Sequence, residues 1–141
     1  MTAVDRYVDV LRRAKLRVTP QRIAILDALA SGSHLTTCQA IWERARKRTR
    51  GLGLVTVYRI LERLRTAGIV EQIDLHGATH FCLADHHHDH IICERCGRVE
   101  PLEACVLESL TGSRLQDTGF LVKGHRLDLL GVCRGCQQAT S

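Results

Sequence analysis

The chain has 141 residues, with seven cysteines, eight histidines and a formal charge of +5 at neutral pH. With 45% hydrophobic and 25% charged residues it is a folding composition, long enough for one ordinary domain or two small ones, and it sets aside long disorder and collagen-like repeats. No apolar run reaches a membrane span and the N-terminus lacks a signal peptide's apolar stretch, so the expected setting is cytoplasmic, with no membrane partner; there thiols stay reduced, and paired cysteines suggest metal or redox chemistry before disulfides.

Charge divides the chain. Residues 1–84 carry 14 Lys and Arg against 7 Asp and Glu, whereas residues 85–141 carry 6 against 8. Six of the seven cysteines and six of the eight histidines lie from His80 onward. A basic, ligand-poor front and a slightly acidic, ligand-rich rear are expected to be two modules with different partners, 1–84 and 85–141. A merely solvated basic face would give the same totals.

In chain order, Asp5 to Lys15 is a first helix with Val4, Tyr7, Val8 and Leu11 as its apolar positions. Thr19-Pro20-Gln21 starts a second, threonine as N-cap and proline where its missing N–H does no harm. Ile23, Ile25, Leu26 and Leu29 follow, and Ser31-Gly32-Ser33 ends it. Thr36 or Thr37 caps a third helix through Ile41, Trp42 and Ala45, which gives way to Arg46-Lys47-Arg48-Thr49-Arg50-Gly51. Val57, Ile60, Leu61 and Leu64 then form one apolar stripe, so Tyr58, Arg59, Glu62, Arg63 and Arg65 must face outward. Ala67-Gly68 closes this fourth helix, and 69–74 and 79–83 read as a hairpin around His76-Gly77. Helices followed by a hairpin is the winged helix-turn-helix order, in which the last helix enters the major groove and arginines pair with guanine edges. An ordinary wet helix face remains the alternative for Tyr58 and Arg59.

The rear half is organised around Cys93-Glu94-Arg95-Cys96 and Cys133-Arg134-Gly135-Cys136. A two-residue gap lets both sulfurs of a knuckle reach one ion, and two knuckles complete a closed tetrahedral site suited to structural zinc. A redox motif or coincidence are the competing explanations. The 36 residues between Cys96 and Cys133 should hold a helix over 103–115, with Val106, Leu107 and Leu110 inward, and strands at Phe120-Leu121-Val122 and from His125 to Val132. Asp85-His86-His87-His88-Asp89-His90 is a second ligand cluster. If extended, it turns His86, His88 and His90 to one side and His87 and Asp89 to the other, enough for two metal sites. An incidental histidine run is the alternative. Glu71 and Cys82 on the hairpin, Glu108, His125 and His34 are the distant residues that would complete such sites.

Taken together, Leu16-Arg17-Val18-Thr19-Pro20-Gln21-Arg22, 53–59, 86–97 and 125–136 resemble the ferric uptake regulator (Fur) family of metal-responsive repressors, most closely its zinc uptake regulators. The resemblance spans about residues 15 to 136. It implies an α+β fold: an N-terminal winged helix-turn-helix DNA-binding domain and a small C-terminal α/β dimerisation domain with a four-cysteine zinc site. It implies a homodimer that binds palindromic operator DNA when metal-loaded, with no small organic substrate. By the same resemblance Tyr58, Arg59 and Thr56 contact DNA, with Lys15 and Arg17 near its backbone. Cys93, Cys96, Cys133 and Cys136 match the structural zinc site. His88 and His90 match the regulatory hinge site, and His87, Asp89, Glu108 and His125 a further site in the dimerisation domain.

The hinge set carries the information on metal identity. Cys82 stands where iron sensors of the family place Glu and peroxide sensors Asp, and Glu71 where zinc sensors place an acidic or histidine ligand. A thiolate, two imidazoles and a carboxylate suit Zn²⁺; an all-N/O set that uses His34 suits Fe²⁺ or Mn²⁺. The expected function is therefore a zinc-dependent repressor of metal uptake genes, with an iron-, manganese- or peroxide-sensing repressor as the alternative. A zinc hydrolase is the reading of another class; no His-Glu-x-x-His or His-x-Glu motif supports it, and a four-cysteine site has no vacant position. Cys38 and Cys105 fit neither metal pattern and read as buried free thiols.

Overall fold

The computed structural model of the chain describes residues 1–32, 35–75, 77–84, 89–102, 116–121, 125 and 127–139. It divides into two compact units, Met1–His86 and His87–Ser141. In the first unit α1 (Ala3–Arg13) and α2 (Pro20–Ser31) precede a short strand β1 (Thr36–Thr37), then α3 (Cys38–Ala45), α4 (Leu54–Thr66), β2 (Val70–Leu75) and β3 (Ala78–Leu83). This is the element order of a winged helix.

Local sequence explains the starts of the first three helices. Thr2 and Asp5 form a reciprocal capping box that starts α1. Thr19 accepts a hydrogen bond from the Arg22 N–H with Pro20 at the first helical position, and Thr37 accepts one from the Ala40 N–H to start α3. Between α1 and α2, Lys15 adopts φ 57°, and the N–H groups of Lys15 and Leu16 donate to the carbonyls of Arg12 and Leu11. That left-handed residue ends α1 and leaves Lys15 and Arg17 exposed.

The core of this unit is apolar and continuous. Leu11, Ile25, Leu26, Ile41, Val57, Leu61 and Leu64 are all essentially inaccessible to solvent, and each such side chain contributes roughly 1.5–3 kcal/mol relative to exposure. In α1 only Tyr7 and Leu11 are buried; Val4, expected on the apolar face, is exposed, because the helix meets the core along a single narrow line. The strand β1 was not legible in the sequence. It pairs Thr36 with Phe81 and Thr37 with His80 and makes a three-stranded sheet of order β1-β3-β2.

The second unit holds β4 (His90–Cys93), β5 (Val99–Pro101), β6 (Asp128–Gly131) and a short α5 (Arg134–Gln138), with a 3₁₀ turn at Gln116–Thr118. β4 is central, antiparallel to β5 and parallel to β6. The expected strand at Phe120-Leu121-Val122 does not form at Phe120 and Leu121, which are exposed and irregular; both sides of β4 are already paired. Val122 lies outside the described residues. The strand expected from His125 to Val132 is limited to Asp128–Gly131, because the Leu127 N–H donates to the Asp89 carboxylate and not to a ladder carbonyl. The expected helix over 103–115, with Glu108 and Cys105, also lies outside the described residues. Among those described, no helix is long and apolar enough to cross a membrane.

Candidate metal centres and nucleic-acid surface

The two cysteine knuckles meet. The sulfurs of Cys93, Cys96, Cys133 and Cys136 all lie within 4.8 Å of one another, and Cys96 Sγ is 3.7 Å from Cys133 Sγ. An ion bonded to four sulfurs at about 2.3 Å separates them by about 3.8 Å, so the cluster fits tetrahedral zinc. Topology explains the meeting. β4 ends at Cys93 beside Gly131 of β6, which delivers the chain to Cys133 two residues later. Gly97, at φ 73°, makes the reversal that leads from the first knuckle into β5.

Backbone groups tune the thiols. The Cys133 N–H donates to Cys93 Sγ at 3.3 Å, and with the Cys96 N–H it lowers the Cys93 thiol to about 6. Cys136 moves the other way, pushed up to about 12 by its hydrogen bonds with Cys133 and Cys96, which favour its protonated form. Arg95 reaches from the first knuckle to the second, its Nη1 donating to the Cys136 carbonyl at 3.1 Å.

At the start of β4 two adjacent residues turn to different partners. Asp89 and His90 are both fully buried. The Asp89 carboxylate accepts the Leu127 N–H at 3.1 Å through Oδ1 and lies 3.4 Å from His125 Nε2 through Oδ2. His90 Nδ1 lies 3.4 Å from Asp128 Oδ1 on β6. The structure thus brings Asp89 and His125 together, two members of the expected dimerisation-domain set; the other two, His87 and Glu108, lie outside the described residues. Asp128 belonged to no expected ligand set. Its signal is the parallel register that sets His90 opposite Asp128, a pairing across 38 residues that local pattern does not reveal.

Of the expected hinge ligands, Glu71 and Cys82 are directly paired across β2 and β3. Opposite residues of an antiparallel pair share a face with their Cβ atoms about 4.5–5.5 Å apart, close enough for one ion. Cys82 is buried and Glu71 exposed. These two belong to the first unit and His90 to the second; His88 and His34 lie outside the described residues.

The outward face of α4 carries Tyr58, Arg59, Glu62, Arg63 and Arg65, all exposed, while Val57, Ile60, Leu61 and Leu64 face the core. Arg65 is held by Glu62 through two contacts of 2.5 and 3.0 Å, whereas Arg59 and Arg63 have no carboxylate partner among the described residues. Cys38, at the start of α3, is buried, and burial pushes the ionisation of its thiol up. Thr56, in the first turn of α4, is half-buried. The turn before α4 adds exposed Arg46, Lys47, Arg48 and Arg50. It is fixed by the Trp42 indole N–H donating to the Leu52 carbonyl at 2.7 Å, by Arg46 lying 4.6 Å over the Trp42 ring and by an Arg48–Asp27 ion pair of 2.6 Å. Such a face, cationic and rigid, is chemically matched to a phosphate backbone.

The sequence profile of the ferric uptake regulator family matches residues 13–130. The chain belongs to that family. It is 31% identical over 136 residues to the peroxide-responsive repressor PerR of Staphylococcus epidermidis, covering 96% of this chain and 91% of the relative. With its Staphylococcus aureus counterpart the identity is 33% over 135 residues, covering 95% and 91%. The ferric uptake regulator of Pseudomonas aeruginosa with manganese superposes with a TM-score of 0.80 at 28% identity, over 91% of this chain and 98% of that one. The Helicobacter pylori ferric uptake regulator shares the fold, with a TM-score of 0.79 at 19% identity over 99% and 97%. As a Fur-family protein the chain is a metal-responsive repressor and not an enzyme, and the hydrolase alternative falls away.

Proposed function

We propose that this Fur-family repressor responds to zinc. Its regulatory ligands are read as Glu71, Cys82, His88 and His90, its further site as His87, Asp89, Glu108 and His125, and its structural zinc as held by Cys93, Cys96, Cys133 and Cys136. The protein is read as a homodimer that grips palindromic operator DNA through Tyr58, Arg59 and Thr56 of α4, with Lys15 and Arg17 on the backbone, and it would control metal uptake genes in the cytoplasm. The observation that carries the zinc reading is the Glu71–Cys82 pair. A thiolate set beside a carboxylate favours a borderline-soft, four-coordinate ion over Fe²⁺ or Mn²⁺. Metal binding would favour the DNA-competent state, and by reciprocity DNA would tighten metal binding.

An iron- or manganese-dependent, peroxide-responsive repressor is the second reading, and the naming of the staphylococcal relatives favours it. One experiment separates the two: protein that retains its tetrathiolate zinc is titrated with Zn²⁺, Fe²⁺ and Mn²⁺ in turn while operator binding is followed. Zinc acting at the lowest free concentration supports the proposal, and activation by Fe²⁺ or Mn²⁺ with zinc inert overturns it. Equal binding by stripped and replenished protein would remove metal response altogether.

A further inference from the structure

We propose that Asp128 is a positioning residue for His90, holding its imidazole in the tautomer whose Nε2 carries the lone pair a regulatory metal needs. The inference rests on the reading of His90 as a hinge ligand. Its basis is the crossing of β4 and β6. His90 and Asp128 are register partners in the parallel pair, with Nδ1 and Oδ1 at 3.4 Å. His90 is completely buried and the Asp128 side chain is 29% exposed, so a carboxyl group at the rim faces a ring held inside. The neighbour of His90 on the other side is Pro101 of β5, which offers neither carboxylate nor N–H.

Backbone contacts hold this geometry from both sides. The His90 N–H donates to the Leu127 carbonyl at 2.9 Å, and the Leu127 N–H donates to Asp89 Oδ1 at 3.1 Å. The residue before Asp128 is therefore clamped to Asp89 and to His90, the first residue of β4, which fixes the Asp128 backbone beside His90. A neutral imidazole carries its proton on one nitrogen only. A carboxylate facing Nδ1 makes Nδ1 the donor and leaves Nε2 as the acceptor, and it raises the electron density that Nε2 can give to a metal. The neighbouring pair is arranged conversely: Asp89 on the β4 side faces His125 near β6, and there both residues are candidate ligands. Asp128 acts instead through His90.

The test compares Asp128→Ala, Asp128→Asn and His90→Ala, each with its tetrathiolate zinc retained. Zn²⁺ affinity is measured against a competing fluorescent chelator, and imidazole ¹⁵N spectra are recorded before regulatory metal is added. Asp128→Ala should weaken hinge zinc binding about 10–100-fold, the usual effect of losing a carboxylate behind a ligating histidine, and should move the His90 proton to Nε2. Asp128→Asn keeps an oxygen acceptor but loses the charge, so its zinc affinity should fall below that of the parent. If the metal-free spectra of Asp128→Ala still show the His90 proton on Nδ1, the carboxylate does not set the tautomer and the proposal fails. If His90→Ala loses zinc while Asp128→Ala does not, the proposal fails and the hinge reading stands. If His90→Ala binds zinc like the parent, the hinge reading fails and takes the proposal with it. The spectra of the metal-free site decide the tautomer even if a variant binds poorly for other reasons.

Discussion

In the first unit the buried side chains are numerous and, Thr36 apart, apolar, from Tyr7 and Leu11 in α1 to Phe81 in β3; in the second, among the described residues, they are Asp89, His90, Ile92 and Cys93. One unit is held by removing hydrocarbon from water. The other buries groups that water solvates well and that repay burial only when paired or bound to metal. Among the described residues the chain thus shows two kinds of cohesion, an apolar core in the first unit and, in the second, buried groups of the kind that metal binding stabilises.

That contrast can be broken experimentally, and the largest effect should come from the structural zinc. Removing it with a strong chelator, or making Cys133→Ser, should unfold the second unit, since apparent structural zinc binding energies are about 10–16 kcal/mol. The helical signal of the first unit should survive and melt in a transition of its own; its loss together with the zinc would show that the units are not independently held. Acid should act in the same direction. Thiolate is the ligand form, and Cys93, lowered to about 6, keeps it further into acid than an ordinary thiol. Zinc retention measured across pH should therefore fall on acidification as protons compete for the sulfurs, and no loss in strong acid would contradict the tetrathiolate.

Next in size is the converse experiment on the apolar core. Leu61→Ala should destabilise the first unit by about 2–5 kcal/mol through the cavity it leaves, with zinc content unchanged. Calorimetry with parallel metal analysis checks both halves of that statement. Smaller effects belong to the functional surfaces. Cys82→Ser should cancel the gain in operator affinity on adding regulatory metal, a coupling of about 1–3 kcal/mol, without touching the tetrathiolate zinc; a mobility shift that still responds to metal sinks the hinge assignment. Arg59→Ala should remove specific binding at a similar scale of about 1–3 kcal/mol, leaving fold and metal intact. The smallest change is expected of Lys47→Ala in the exposed turn, which should lower the slope of log affinity against log salt by about 1 and leave sequence preference alone.

Residues whose roles depend on near neighbours were readable without coordinates. Thr19 before Pro20, the stripe Val57, Ile60, Leu61 and Leu64, and the hairpin closing near Gly77 all follow from spacings of a few residues, and the structure forms each of them. The short strand β1 was not readable, because Thr36 and Thr37 look like a helix cap and acquire their pairing only when β3 lies alongside. Phe120 and Leu121 erred in the other direction: their strand-like composition finds no open side of β4 to pair with.

The chain's own order of residues determined the helix faces, the caps, the charge division and the two cysteine knuckles, because each is a matter of covalent proximity and helical or two-residue periodicity. That Cys93 joins Cys133 and Asp89 joins His125 was expected from the sequence; tertiary structure alone decided the register that brings them together and sets Asp128 beside His90. Those meetings join residues 36 to 40 positions apart through the parallel register of β4 and β6, and a register is a property of two strands in contact, which neither strand's sequence carries by itself.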